Sequence, residues 1–466
     1  MTKTLFSKTQ QSTKHAFRWP DAIWCSVLAL YVLAGVSLVP LHGDEPTQIF
    51  MGRDFYYHMQ GQGEEIRFAE WDTLTGEQAT EQDLRLINGT LPKYLFGMVA
   101  YMSGYAFEDI NQQWAWGSGW EWNHTNGHVP TDDLLLRTRY ISGVLLAISA
   151  IALFSVGYML AGRFVAYVAS AYFVLNPAVL VNGRRAMMEG GLLAFSILVV
   201  LVALWLVQNR GWWVYVLLGL LSGLAVASKH TAVVTVIAVF LSCGSLFLWQ
   251  ILRYDGKDAT RWQDLGALFS AGILSLCVFF ALNPAWWGTP ADALMGTIDR
   301  RANLLQGQTD FFGRYETWQA QAAGFWEQAF IVQPAIVDSD FDGFESQQVD
   351  AIRAYEQSWL SGFSIGGNML GAVLMLGLVS IGIIRLVTSI QPQRSWIIGL
   401  WTLATLILTL VLTPIDWQRY YLPLYPVIAI LGAIGLDFIF KLVWQLVGQA
   451  KTIDENTSQT FFASTD

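Results

Sequence analysis

The apolar residues of this chain fall in blocks of about twenty, the length a helix needs to cross the hydrocarbon of a bilayer. We read about ten such spans, near 22–41, 137–159, 164–181, 190–208, 212–228, 231–251, 264–282, 363–386, 396–413 and 421–445. A further apolar run at 91–107 is interrupted by Pro92, Lys93 and Gly104, and is expected to lie at the interface as a helix. The first run is too long for a signal peptide, and no small-residue cleavage site follows it. Across 466 residues, 54% are hydrophobic and only 14% charged. The expectation is therefore an all-α polytopic membrane protein with one membrane domain over 22–445. Residues 1–21 and 446–466 would be cytoplasmic tails, the second polar and disordered.

Charge sets the orientation. Lys3, Lys8, Lys14 and Arg18 precede the first span with no acid before Asp21, which argues for a cytoplasmic start. Ten crossings then place both termini inside a cell membrane, with Arg163, Arg210, Arg253, Arg385 and Arg394 in inner loops. The long segments at about 42–136 and 283–362 face outward and carry most of the acids. The net charge of −9 therefore belongs to the outer surface. No basic stripe suggests nucleic acid. Cys25, Cys243 and Cys277 all lie in apolar runs, where buried free thiols are expected and no disulfide framework forms.

Several cations break the positive-inside pattern by sitting at the outer ends of spans. Arg137 and Arg139 head the second, Arg184 and Arg185 close the third, Lys229 and His230 follow the fifth, and Arg419 opens the last. A cation at that depth needs a partner, because burying it alone costs several kcal/mol. Nearby acids are one source: Asp132 and Asp133 for the first pair, Glu189 for the second, Asp416 for Arg419. A lipid-borne phosphate in the outer leaflet is the other, and it suits the planar fork of arginine.

Asp44 and Glu45, directly after the first span, lie in the same layer. A carboxylate there can serve as general base, taking the proton of an acceptor as it attacks a sugar's anomeric carbon. The lipid phosphate would leave as a stabilised anion that needs cations more than an acid. Paired-carboxylate hydrolysis fits less well, because adjacent residues rarely present carboxyl groups about 5 Å apart.

Six stretches resemble, in order, the GT-C membrane glycosyltransferases, in particular the protein O-mannosyltransferases and lipid A aminoarabinose transferases. They are HGDEPTQIF, NGTLPKYLFGMVAYMSGY, LLLRTRYISGVLLAISAIALF, RFVAYVASAYFVLNPAVLVNGRRAMMEGGLLAF, LLGLLSGLAVASKHT and DWQRYYLPLYPVIAILGAIG. The resemblance implies a GT-C fold with interfacial helices roofing the site. It also implies inverting transfer of a sugar from a polyprenyl-phosphate donor, on the non-cytoplasmic face, to a protein, glycolipid or polysaccharide acceptor. By position, Asp44 matches the family's catalytic aspartate and Glu45 its companion. Arg137 or Arg139, Arg184 or Arg185, Lys229 and Arg419 fall where the donor phosphate is met, with His230 beside them. Lys93 matches the lysine of an "HPPL-K" helix, although Asn88-Gly89-Thr90-Leu91 stands at "HPPL" here, and Glu189 stands where aspartate is expected. The departures leave a second reading open, a catalytically silent relative acting as a membrane scaffold or complex subunit.

Other signals are weaker. Asp338, Asp340 and Asp342 with Gly343 open like a calcium loop, but Val349 occupies the twelfth position, so a solvated acidic loop competes with a cation site. No cofactor is required by the chemistry, and a divalent cation is compatible with it. His42 and His58, near Asp44, Glu45 and Asp54, have no metal-specific spacing. Tryptophans crowd the outer segments. Trp286, Trp287 and Trp417 are the candidates for donor contact, against a general interfacial belt. Asn88 and Asn123 head N-glycosylation sequons.

Overall fold

The computed structural model describes residues 18–253, 259–333, 335–337, 346–364, 366–389 and 391–462, with backbone alone at 259–261 and 448–462. Asp338, Asp340 and Asp342 lie outside the described residues. Among those described, all regular structure is helical. In chain order the helices are α1 (Trp19–Ala34), α2 (Asp44–Phe50), α3 (Arg53–Met59), α4 (Gly76–Ile87), α5 (Thr90–Met102), α6 (Trp120–Thr125) and α7 (Asp132–Ala161). Then come α8 (Arg163–Leu175), α9 (Pro177–Arg184), α10 (Glu189–Leu206), α11 (Trp212–Ser228), α12 (Val233–Arg253) and α13 (Ala259–Leu282). The last are α14 (Pro290–Phe312), α15 (Trp318–Trp326), α16 (Val349–Glu356), α17 (Met369–Val387), α18 (Pro392–Leu406) and α19 (Leu424–Phe462).

Each of the ten apolar runs becomes helix. Eight helical stretches are long and apolar enough to span a membrane, α8 and α9 make a ninth as a pair bent by 63°, and α11 is a shorter apolar helix. This is a multi-pass membrane protein. The bend follows from Asn176-Pro177: proline cannot extend α8, and the Asn176 side chain accepts the Val179 N–H at 3.2 Å to start α9. The run expected to begin at 363 starts instead at Met369, because Gly366 and Gly367 turn the chain and Asn368 caps α17 through the Gly371 N–H. The run at 91–107, expected at the interface, forms the helix α5, and Gly104 at φ 86° follows its end. α19 continues to Phe462, through a segment whose polar composition argues for disorder.

α7 packs against α1, α8 and α10 at the centre, α11 lies against α13, and α17 against α19. Where two helices must come closest, glycine permits it. A Cβ on Gly382 of α17 would stand 2.0 Å from the Leu431 carbonyl oxygen, and one on Gly435 of α19 equally close to that of Leu378. Cys25 and Cys243 are buried, whereas Cys277 is exposed on the outside of α13. The described residues between α1 and α7 and between α13 and α17 fold as short helices and loops around the longer α14.

Candidate active site

The 42–45 loop is fixed by Glu45 rather than by Asp44. Glu45 is fully buried, and Arg139 of α7 grips both its oxygens at 2.7 Å. The backbone N–H groups of Ala186 and His42 donate to the same carboxylate at 2.8 and 3.0 Å. Burial alone would push this carboxyl up. The Arg139 guanidinium and these donors, with Arg185 nearby, outweigh burial and hold it below the usual carboxylate range. Glu45, expected as a catalytic companion, is thus an anchor with its oxygens occupied. Arg139 pairs with it and not with Asp132 or Asp133.

Anchoring Glu45 turns its neighbour outward. Asp44 faces a cavity of about 490 Å³. Its carboxylate accepts from an Arg419 Nη1 hydrogen and keeps 28% of its side-chain surface exposed. Its backbone N–H donates to His42 Nδ1 at 3.1 Å, so the neutral imidazole carries its proton on Nε2. Asp416, the sequence neighbour considered for Arg419, accepts instead from Gln328.

A narrower space of about 170 Å³ shares its three cations, Lys229, Arg301 and Arg419, with this cavity, and Leu192, Leu305, Leu408 and Leu412 are prominent in the rest of its wall. The cavity that holds Asp44 and the leucine-rich groove therefore meet at three cations. Lys229, at the C-terminus of α11, donates to Glu189 Oε1 at 2.7 Å. Glu189 Oε2 is buried without a partner among the described residues. Arg301 comes from α14, and no ion pair or hydrogen bond holds it among the described residues. Among the described residues of the junction, Asp44 is matched by Arg419 and Glu189 by Lys229, and Arg301 has no such counter-charge.

The remaining cations expected at the phosphate do not line the cavity. Arg137 is exposed and pairs with Asp133 at 2.6 Å. Arg184 is fully buried and donates to the carbonyls of Val32, Tyr31 and Leu360 at 2.8, 2.8 and 2.5 Å. Arg185 donates to the carbonyls of Pro40 and Ile336. Both tie the break after α9 to distant backbone, supplying donors to carbonyls at the end of α1 and in loops and turns, where buried acceptors need partners. Lys93 is buried against Asp54 at 2.6 Å, with Arg85 on the same carboxylate at 2.9 Å. Burial would raise the Asp54 carboxyl, but these two cations pull it below its ordinary value. That network clamps α3, α4 and α5 together outside the cavity. His230 is packed on Phe279. Trp286 packs on the same Phe279, and Trp287 donates to the Phe280 carbonyl, both away from the site. Trp417 does line the cavity, stacked on Tyr420 with ring centroids 5.7 Å apart.

Among the described residues no cluster of three His, Cys, Asp or Glu could hold a metal ion. The sequon asparagines are committed elsewhere. Asn123 is fully buried and bonded to the Ala115, Ser118 and Gly119 backbone, and Asn88 accepts from Gln48.

Comparison with known proteins agrees with this architecture. Residues 61–287, just under half of the chain, match the family model of dolichyl-phosphate-mannose-protein mannosyltransferases. No curated protein matches the sequence. The fold is similar to the apo oligosaccharyltransferase of Archaeoglobus fulgidus, with a TM-score of 0.51 and 12% identity, covering 93% of this chain and 52% of that one. ArnT of Cupriavidus metallidurans bound to undecaprenyl phosphate aligns with a TM-score of 0.46 and 13% identity, over 92% of this chain and 63% of that one. The chain thus spans between about half and three fifths of the length of these structures. The architecture is the GT-C fold of membrane glycosyltransferases.

Proposed function

We propose that the protein is an inverting glycosyltransferase that takes a sugar from a polyprenyl-phosphate donor on the non-cytoplasmic side of the membrane. One observation carries this reading: a carboxylate, Asp44, bonded to Arg419, shares its cavity with Lys229 and Arg301, and all three cations also line a neighbouring leucine-rich groove. The groove suits an isoprenoid chain, the cations its phosphate, and the cavity its sugar. The positive charge of Arg301, without a counter-charge among the described residues, complements a phosphodiester, which carries one negative charge.

The phosphate competes with Asp44 for Arg419, so donor binding frees the base. An acceptor hydroxyl oxygen attacks the anomeric carbon as the carbon–oxygen bond to phosphate breaks. The bonding electrons leave with the phosphate, which departs as a monoester dianion, and the hydroxyl proton passes to Asp44. The site gains one positive charge as the phosphate gains one negative charge, so balance holds through the step. Lys229, Arg301 and Arg419 stabilise the departing phosphate without reorganising.

Replacement Asp44→Asn tests the reading. Assayed with a radiolabelled short-chain polyprenyl-phosphate mannose and detergent-solubilised membrane extract as acceptor, the variant should purify and melt like wild type while losing donor cleavage. Cleavage at the wild-type rate would remove Asp44 from the mechanism. Wild-type protein that binds the lipid but never cleaves it would favour the silent scaffold.

A further inference from the structure

We infer that the acceptor is a saccharide, bound on a wall of tryptophans at the end of the cavity remote from the groove; this rests on the donor reading above. The order along the cavity is fixed by contacts. Leucines of the groove lead to the three cations, Arg419 bonds Asp44, and the adjoining Gly43 lies under Trp116, whose ring a Cβ on Gly43 would meet at 2.8 Å. Inversion requires the nucleophile to arrive opposite the leaving group. With the phosphate at the cations, Trp114, Trp116 and Trp120, which line the cavity but not the groove, are the surface for that approach.

The wall is built in advance. Trp114 is buried and stands 6.3 Å from Trp116 at 66° and 6.0 Å from Trp120 at 53°. Its loop is cross-tied by Asn123, whose side chain accepts the Ala115 N–H at 2.8 Å and donates to the Ser118 carbonyl at 3.1 Å. Asn111 ties the same loop to α2 by donating to the Pro46 carbonyl at 2.9 Å, so the wall moves with Asp44. Trp116 nevertheless keeps 42% of its surface exposed. An indole held rigidly beside a base and left open is not needed for packing.

The chemistry of that surface selects its occupant. A pyranose offers an apolar C–H face to an indole and a rim of hydroxyls, which Gln113 and Ser118 at the wall's edge can bond. A bound peptide needs partners for its own N–H and carbonyl groups, and the described residues of this wall offer no extended backbone edge.

The experiment measures binding and turnover separately. Maltotriose and a Ser/Thr-rich peptide are titrated against Asp44→Asn protein in nanodiscs by saturation-transfer NMR, then offered to the wild type with polyprenyl-phosphate mannose. Maltotriose should bind and the peptide should not. In Asp44→Asn protein, a second replacement Trp116→Ala should weaken maltotriose binding about tenfold, as loss of one aromatic face implies, whereas Trp116→Phe should keep most of it. In turnover, Trp116→Ala should raise the saccharide KM far more than the donor KM. Peptide binding without saccharide binding, or saccharide affinity unchanged in Trp116→Ala, overturns the inference. An equal rise in both KM values would assign the wall to the donor's own sugar and also overturns it. Absence of any donor cleavage, with saccharide binding intact, would instead count against the donor reading alone.

Discussion

Asp44 and Glu45 are one peptide bond apart, and their surroundings give them opposite work. Glu45 is saturated by Arg139 and two backbone donors, while Asp44 keeps a single charged partner that a ligand can take over. Replacement Glu45→Gln therefore strands a buried guanidinium and should cost about 3–5 kcal/mol of stability, read as a large drop in the thermal midpoint in detergent. Asp44→Asn should leave that midpoint nearly unchanged. A Glu45→Gln protein as stable as wild type would refute the anchor role. Arg301 makes the converse case: Arg301→Ala should weaken binding of a short-chain polyprenyl phosphate by roughly ten- to a hundredfold, the worth of a lost charge-assisted contact, without lowering the midpoint. Unchanged lipid affinity would exclude it from the site. The sequence points to Asp44, Lys229 and Arg419 because they lie at the ends of apolar runs. Arg301 sits inside an amphipathic helix beside Arg300, and nothing local separates the two. Only the fold shows that Arg300 pairs with Asp83 and lies 3.8 Å over Trp71 while Arg301 turns into the cavity.

At the scale of elements, the apolar periods coincide with the eight candidate spans and the bent α8–α9 pair among the described residues, because a bilayer leaves a helix no other way to satisfy its backbone. The broken pair α8–α9 was less legible. Asn176-Pro177 signals a cap, but a 63° bend within one apolar run is decided by what the second half packs against. That bend carries Arg184 inward, where it meets the last turn of α1 and the turn at Trp359–Ser361. Position alone had suggested phosphate for Arg184, since a buried staple and a ligand-binding arginine look identical in sequence. Arg184→Ala would leave three backbone carbonyls short of a donor, each costing about 1–3 kcal/mol. The variant should melt well below wild type while its folded fraction binds polyprenyl phosphate with unchanged affinity. Weakened lipid binding at full stability would return Arg184 to the site.

For the whole molecule, the two kinds of cohesion respond differently to acid. The bundle is held chiefly by packed apolar side chains and close helix contacts, which carry no proton, with the ion pairs Asp21–Arg163 and Glu189–Lys229 as a smaller addition. The roof is held by buried carboxylates: Glu45 ties α2 to α7, and Asp54 ties α3 to α4 and α5. Both carboxyls lie below their ordinary values when folded, so the unfolded roof binds protons more readily than the folded one. Their contribution is complete above the ordinary carboxylate value of about 4 and is lost as pH falls through that value toward their folded ones. Lowering pH from about 7 to about 3 should therefore release the roof before the bundle. Limited proteolysis with pepsin should then cut within residues 42–136 while the helices from α7 onward stay intact. Glu45→Gln, already without its titrating group, should flatten part of that dependence. Cleavage spread evenly along the chain, or a melting midpoint constant over this range, would mean that the roof is held by something other than its buried ion pairs, and the positioning of Asp44 would then need another cause.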